Sequence, residues 1–175
     1  KKLMGRVVSK EVSSFFENKH RSMGVSIKFN SQVTGIEKND NDNIVLCNDG
    51  SEYFSDLVFA GIGVKPNIQI ALDAGIICDN GISVNEYGQT SDESIYAAGD
   101  CTNHPNTIFN TKLRLESVHN AIEQSKTVAN KIIGINKSYN QVPWFWSDQY
   151  NLKLQIAGIH SDDNVRYKFL RDEKS

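Results

Sequence analysis

Apolar positions set the first frame for this chain. After Ser9, a capping type of residue, Val12, Phe15, Phe16 and Met23 recur at near-helical spacing, and Gly24 supplies a stop. Alternation follows at once, with Val25, Ile27 and Phe29 on one side and Ser26 and Lys28 on the other, the period of a strand. A second short strand is predicted from Val33 to Glu37, ending in the polar turn KNDNDN, and a third from Asn43 to Cys47. Asn48-Asp49-Gly50 is a hairpin signal. SEYFSDLVFAGIG then supplies one or two more strands, ending at Gly61-Ile62-Gly63. Within it Leu57, Val58, Phe59 and Ala60 form an unbroken apolar run, the pattern of a strand covered on both faces. Residues 25–61 therefore predict an antiparallel meander followed by a buried strand.

Beyond Pro66-Asn67 the texture changes. IQIALDAGI predicts a short helix, GISVNEYGQTS a strand and turn, and SIYAAGD another buried strand. A long helix is predicted from about Ser117 to Ile133. Its apolar stripe is Val118, Ala121, Ile122, Ser125, Ala129, Ile132 and Ile133, and Gly134 ends it. INKSYNQVP is a linker. WFWSDQY and the alternating NLKLQIAGI open a new antiparallel unit, with VRYKFLR as its next strand. No internal repeat or low-complexity segment interrupts the chain.

Composition narrows the class of protein. At 175 residues, 39% hydrophobic and 23% charged, the chain has the balance of a globular protein and the length of one medium domain or parts of two. A net charge of −2 without a basic stripe argues against nucleic acid as a partner. No apolar run is long enough to span a membrane, and KKLMGRVVSKEV lacks the apolar core of a signal peptide, so no membrane association is expected. That start also lacks an initiator Met, the expectation for an internal piece of something longer. Cys47, Cys78 and Cys101 are odd in number and far apart, with no C-x-x-C pair. Reduced thiols in the cytoplasm are the expectation, with no metal site.

Four stretches carry candidate chemistry. Gly99-Asp100 ends an Ala-Ala-Gly run that leaves room for a ligand against the backbone. The Asp can accept hydrogen bonds from sugar or polyol hydroxyls, or the pair simply makes a turn. Glu116, Ser117 and Val118 stand where the long helix begins, and free N–H groups there attract an electron-rich oxygen or form an ordinary cap. Gly61-Ile62-Gly63, closed by Pro66, would let a flat ring approach the backbone, although no G-x-G-x-x-G occurs anywhere in the chain. Trp144 and Trp146, two apart, share one face of a strand, to fill a core, line an interface or lie against a flat cofactor, with Asp148 on the surface or in a turn. Cys101 is taken as a packed thiol, and His104 and His119 as structural or exposed.

The order of these stretches is more telling than any one of them. AGIG followed by PN, then DNGISVNEYGQTSDESIYAAGDC, then RLESVHNAIEQS, then PWFWSDQY resembles the ferredoxin reductase family of FAD- and NAD(P)-dependent flavoproteins. This group includes putidaredoxin and rubredoxin reductases and the reductase components of ring dioxygenases. The resemblance runs from RVVSKEVSSFFENKHRSMGV to LKLQIAGI, and FWSDQY after ESVHNAIEQ is its most specific part. It implies an α/β fold: a fragment of a flavoprotein with two dinucleotide-binding domains, plus the start of an α+β C-terminal interface domain. Residues 1–66 would be the later part of the NADH domain, 67–138 a segment of the FAD domain, and 139–175 the start of the interface domain.

The resemblance also implies roles. Gly99 and Asp100 would meet FAD, with Asp100 bonded to its ribityl chain. Ser117 would open the helix whose first N–H, that of Val118, meets the electron-rich edge of the flavin. Gly61, Ile62 and Gly63 would lie beside the nicotinamide of NADH or NADPH. Glu116 would contact the carboxamide or face the ring stack. Trp146, with Trp144 near it, would lie at the flavin edge and the face that docks an iron–sulfur acceptor, a ferredoxin or rubredoxin. No side chain acts as a general acid or base, because hydride passes directly between rings. A fragment without either G-x-G-x-x-G unit is expected to bind FAD poorly and to be inactive alone. The alternatives are an NADH oxidase or a reductase like apoptosis-inducing factor, which share the flavin residues, and a non-catalytic binding fragment.

Overall fold

The computed structural model describes residues 2–39 and 42–159, which fall into two compact units, residues 2–63 and residues 64–159. The first unit opens with helix α1, Lys10–Ser22. Ser9 caps it as expected, its Oγ accepting from the Val12 N–H at 3.4 Å. Glu11 stands in the first turn and Lys19, His20 and Arg21 in the last, the arrangement the helix dipole favours. Phe16 is the buried anchor, with Phe15 edge-on at 5.4 Å, whereas Met23 is exposed.

Strands β1 (Val33–Lys38), β2 (Asn43–Cys47) and β3 (Glu52–Ser55) form an antiparallel meander in that order, with an irregularity between Val33 and Gly35. The β2–β3 hairpin is built as Asn-Asp-Gly predicts. Gly50 takes φ +80°, and the Asp49 carboxylate accepts from the N–H of Ser51 at 3.0 Å and from its hydroxyl at 2.6 Å.

Two expectations fail in this unit. Residues 25–29 alternate correctly but form no strand, because no described strand offers them a ladder. Leu57–Ala60 is neither a strand nor covered, and Phe59 is 88% exposed. An apolar run shows what a segment can bury when partners exist. Here β3 pairs only with β2, and no described strand lies next in the sheet.

The second unit holds α2 (Gln69–Asp73), β4 (Ile82–Ser83), β5 (Thr102–Asn106), β6 (Thr111–Leu113), α3 (Val118–Ile132), β7 (Trp144–Gln149) and β8 (Leu152–Ala157). β4 runs parallel to β5, β5 pairs antiparallel with β6, and β7 and β8 form the expected hairpin. Ala71, Ile76, Ile82 and Val84 make a small apolar core. SIYAAGD is not a strand: among the described residues its only ladder contact is a bridge from Tyr96 to Gln89, and the chain turns at Gly99. In its place the polar segment Thr102–Asn106 takes the central position, which no hydrophobic pattern could reveal. VRYKFLR, residues 165–171, lies outside the described residues.

Helix α3 has the expected bounds but the opposite orientation. Ser117 caps it, accepting from the Asn120 N–H at 3.2 Å, and Gly134 follows its end. Its buried residues, however, are Asn120, Gln124 and Thr127, while Val118 is 56% and Ile132 64% exposed. The polar face turns inward because it finds partners there. Asn120 donates from Nδ2 to the Leu115 carbonyl at 3.1 Å and accepts the Tyr139 hydroxyl at 2.8 Å.

Candidate functional site

The structure joins the Gly99-Asp100 turn to helix α3. Gly99 is buried with φ +86°, a backbone conformation that resists a Cβ. Its N–H donates to Gln124 Oε1 at 2.6 Å, and Ala121 packs alongside. Thr102 closes the turn. Its N–H donates to the Gly99 carbonyl at 3.0 Å, and its hydroxyl lies 2.9 Å from that carbonyl and 2.8 Å from Gln124 Oε1. Asp100 is held by its main chain instead: Arg114 Nη1 donates to its carbonyl at 3.4 Å. The Asp100 carboxylate is exposed and has no partner among the described residues.

Arg114 also gathers the next candidate. Nη1 pairs with Glu116 Oε1 at 2.5 Å, and Nε donates to Asn80 Oδ1 at 3.2 Å. At the start of α3, Ser117 serves the Asn120 N–H, so the N–H groups of Val118 and His119 face no acceptor among the described residues. Those groups carry the positive end of a 15-residue helix.

Trp144 and Trp146 share a face of β7 as expected, with ring centroids 5.0 Å apart and planes at 32°. The His119 ring stands edge-on to Trp144 at 6.3 Å, which ties this pair to the start of α3. Trp146 is 44% exposed, and Asp148 is exposed as expected. One unit thus brings together Gly99, Asp100, Glu116, Ser117 and Val118, with Trp146 linked through Trp144 and His119. Gly61, Ile62 and Gly63 belong to the first unit, in an exposed segment without regular structure where Ile62 is 96% exposed. A cavity of about 280 Å³ in that unit, lined by Lys28, Val45, Cys47 and Tyr53 among others, contains none of the candidates.

Two residues that organise the site were not foreseen, Gln124 and Arg114. The available signal was Asn120 and Gln124 four apart on one helix face, opposite the stripe taken as the inner one. His104 is structural. It is 1% exposed, both ring nitrogens lack partners among the described residues, and burial pushes its pKa down to about 4. It stands edge-on to Tyr139 at 5.0 Å, and burial raises that phenol to about 12. The Cys101 thiol lies 3.7 Å from the Ala98 carbonyl, a packed thiol, and all three cysteines are free. Among the described residues no cluster of His, Cys, Asp or Glu could hold a metal, and no helix is long and apolar enough to cross a membrane.

Residues 1–125 match the family described as pyridine nucleotide-disulphide oxidoreductase, and residues 144–173 match the one described as reductase C-terminal. The chain belongs to the pyridine nucleotide-disulphide oxidoreductase family. It is 42% identical over 161 residues to a putidaredoxin reductase of Pseudomonas putida, covering 90% of this chain and 38% of that protein. Its structure is similar to that of a ferredoxin reductase from Rhodopseudomonas palustris, with a TM-score of 0.86 and 40% identity over 90% of this chain and 39% of that one. It is also similar to the covalent putidaredoxin reductase–putidaredoxin complex, with a TM-score of 0.84 and 41% identity over 91% of this chain and 39% of that one. The chain spans about two fifths of the length of the curated relatives it matches. The expected α/β flavoprotein fold class and the family resemblance are both borne out.

Proposed function

We propose that this chain is part of an FAD-dependent NAD(P)H oxidoreductase of the ferredoxin reductase type. The observation that carries the reading is the Gly99-Asp100 turn clamped to α3 by Gln124, with the Asp100 carboxylate and the Val118 N–H both left without partners among the described residues. These groups fit FAD in kind. A free carboxylate accepts from ribityl hydroxyls, and a free helix-start N–H donates to the electron-rich edge of the ring. FAD, when bound, supplies the chemistry that takes a hydride from NADH or NADPH and releases single electrons.

The chain's own residues bind and tune. Gly99 gives the turn its shape, and Asp100 holds the ribityl chain. Ser117 caps α3 so that the Val118 N–H stays open, and the positive end of the helix favours added negative charge beside it. Glu116, fixed by Arg114, faces the carboxamide or the ring stack. Gly61, Ile62 and Gly63 lie beside the nicotinamide. Trp146, with Trp144 near it, lies at the flavin edge and the face that docks the iron–sulfur acceptor, a ferredoxin or rubredoxin. Residues 1–66 belong to the NADH domain, 67–138 to the FAD domain and 139–175 to the interface domain of a cytoplasmic protein.

The test is the visible spectrum of the intact protein carrying this chain, before and after anaerobic NADH. Flavin bands that bleach are expected, followed by rapid reduction of an added ferredoxin. A colourless protein that takes up no FAD would sink the reading. Flavin that reacts fast with oxygen and not with iron–sulfur proteins would favour an NADH oxidase.

A further inference from the structure

We propose that Gln124 is a positioning residue of the flavin site, acting through Asp100; this rests on the flavin reading of Asp100 above. Gln124 is 1% exposed, in the middle of α3. Its Oε1 receives the Gly99 N–H at 2.6 Å and lies 2.8 Å from the Thr102 hydroxyl. Both groups belong to the turn that carries Asp100. A backbone N–H can only donate, so the Gln124 amide must present its oxygen to Gly99. Its Nε2 is then buried with no partner among the described residues. An unmet buried donor is unfavourable, and a residue that only filled this space would serve better as Leu or Met. The arrangement makes sense if the oxygen's task is the turn.

The geometry also shows what the task achieves. Gln124 fixes the peptide entering Gly99, Thr102, whose hydroxyl also meets Gln124, fixes the Gly99 carbonyl that leads into Asp100, and Arg114 fixes the carbonyl leaving it. The main chain of Asp100 is thus held on both sides while its carboxylate stays open. Gln124 lies six residues along the same helix from Val118, about 9 Å of rigid rise. One side chain therefore sets the register between the carboxylate that would hold the ribityl chain and the N–H that would meet the ring.

The test measures the Kd for FAD of the intact protein in a double-mutant cycle of Asp100→Ala and Gln124→Leu. Each single change is expected to weaken FAD about tenfold, and the double no more than the weaker-binding single, because Gln124 has nothing left to place once the carboxylate is gone. Gln124→Glu, which keeps the acceptor oxygen, should restore most of the affinity. Thr102→Val, which removes the other group on that oxygen, takes the place of Gln124→Leu in the cycle if the latter does not fold. Losses that multiply in the double mutant, or a Gln124→Leu protein that melts earlier yet binds FAD like the parent, would overturn the proposal and leave the reading of Asp100 intact. Unchanged FAD affinity in Asp100→Ala would overturn both.

Discussion

His104 shows how a single residue ties the stability of this unit to pH. Its ring is buried on β5 beside Tyr139, with neither nitrogen partnered among the described residues, and burial pushes its pKa from 6.5 to about 4. In the unfolded chain the same ring takes a proton near its ordinary value. Between pH 6.5 and 4 the unfolded state therefore binds more protons, and stability falls as pH falls through that window. The full effect is on the order of 3 kcal/mol by pH 4. Denaturant midpoints from pH 7 to 4 should drop steadily in the parent, and His104→Leu should flatten the slope; parallel slopes would show that other groups carry the acid sensitivity. Gly99 makes a different residue-scale case. A Cβ there would meet Ala121 at an ordinary 3.7 Å, so space is not the obstacle, but φ +86° is. Gly99→Ala should cost about 1–2 kcal/mol through backbone strain alone. Because Asp100 is the next residue, FAD retention should fall with it, as gel filtration followed by the flavin absorbance would read.

At the scale of elements, α3 is held by polar rather than apolar contacts. Asn120 joins the helix to the Leu115 carbonyl and to the Tyr139 hydroxyl, both in buried surroundings. Asn120→Ala would strip partners from both and should cost about 2–4 kcal/mol in urea unfolding. Tyr139→Phe should cost about 1 kcal/mol, and the pair should be less than additive because both changes remove one shared bond. Additive losses would show that the two residues act separately. The ends of this helix were legible in the sequence because a cap is local: Ser117 and the Asn120 N–H are three residues apart. The β2–β3 hairpin was legible for the same reason, since Asp49, Gly50 and Ser51 settle their own geometry. The inner face of α3 was not. Its polar residues are buried by Gly99, 25 positions from Gln124, and Tyr139, 19 positions from Asn120, and hydrophobic periodicity carries no record of such partners. The segment Thr102–Asn106 is illegible for the same reason, because a strand of buried polar residues looks like a loop until its bonds are known.

At the scale of the whole molecule, the order of motifs proved more informative than the burial pattern. Leu57–Ala60 has the pattern of a covered strand, yet Phe59 lies open, since coverage depends on neighbours that the run itself cannot specify. The succession from SIYAAGD through ESVHNAIEQ to FWSDQY nonetheless pointed to the family that residues 1–125 match. Under the proposed function, Trp146→Ala would distinguish two tasks, taking electrons in and passing them on. The Trp146 ring is partly exposed and leans on Trp144, which in turn meets His119 near the start of α3. Removing it takes away an accessible aromatic surface while the hydrogen-bonded clamp at Gly99, Thr102 and Gln124 remains. Docking surfaces draw much of their energy from such aromatic anchors. Trp146→Ala in the intact protein should therefore slow electron transfer to an iron–sulfur acceptor about tenfold. Reduction by NADH should keep its parent rate. Stopped-flow absorbance resolves the two half-reactions, and equal losses in both would count against a docking role for Trp146.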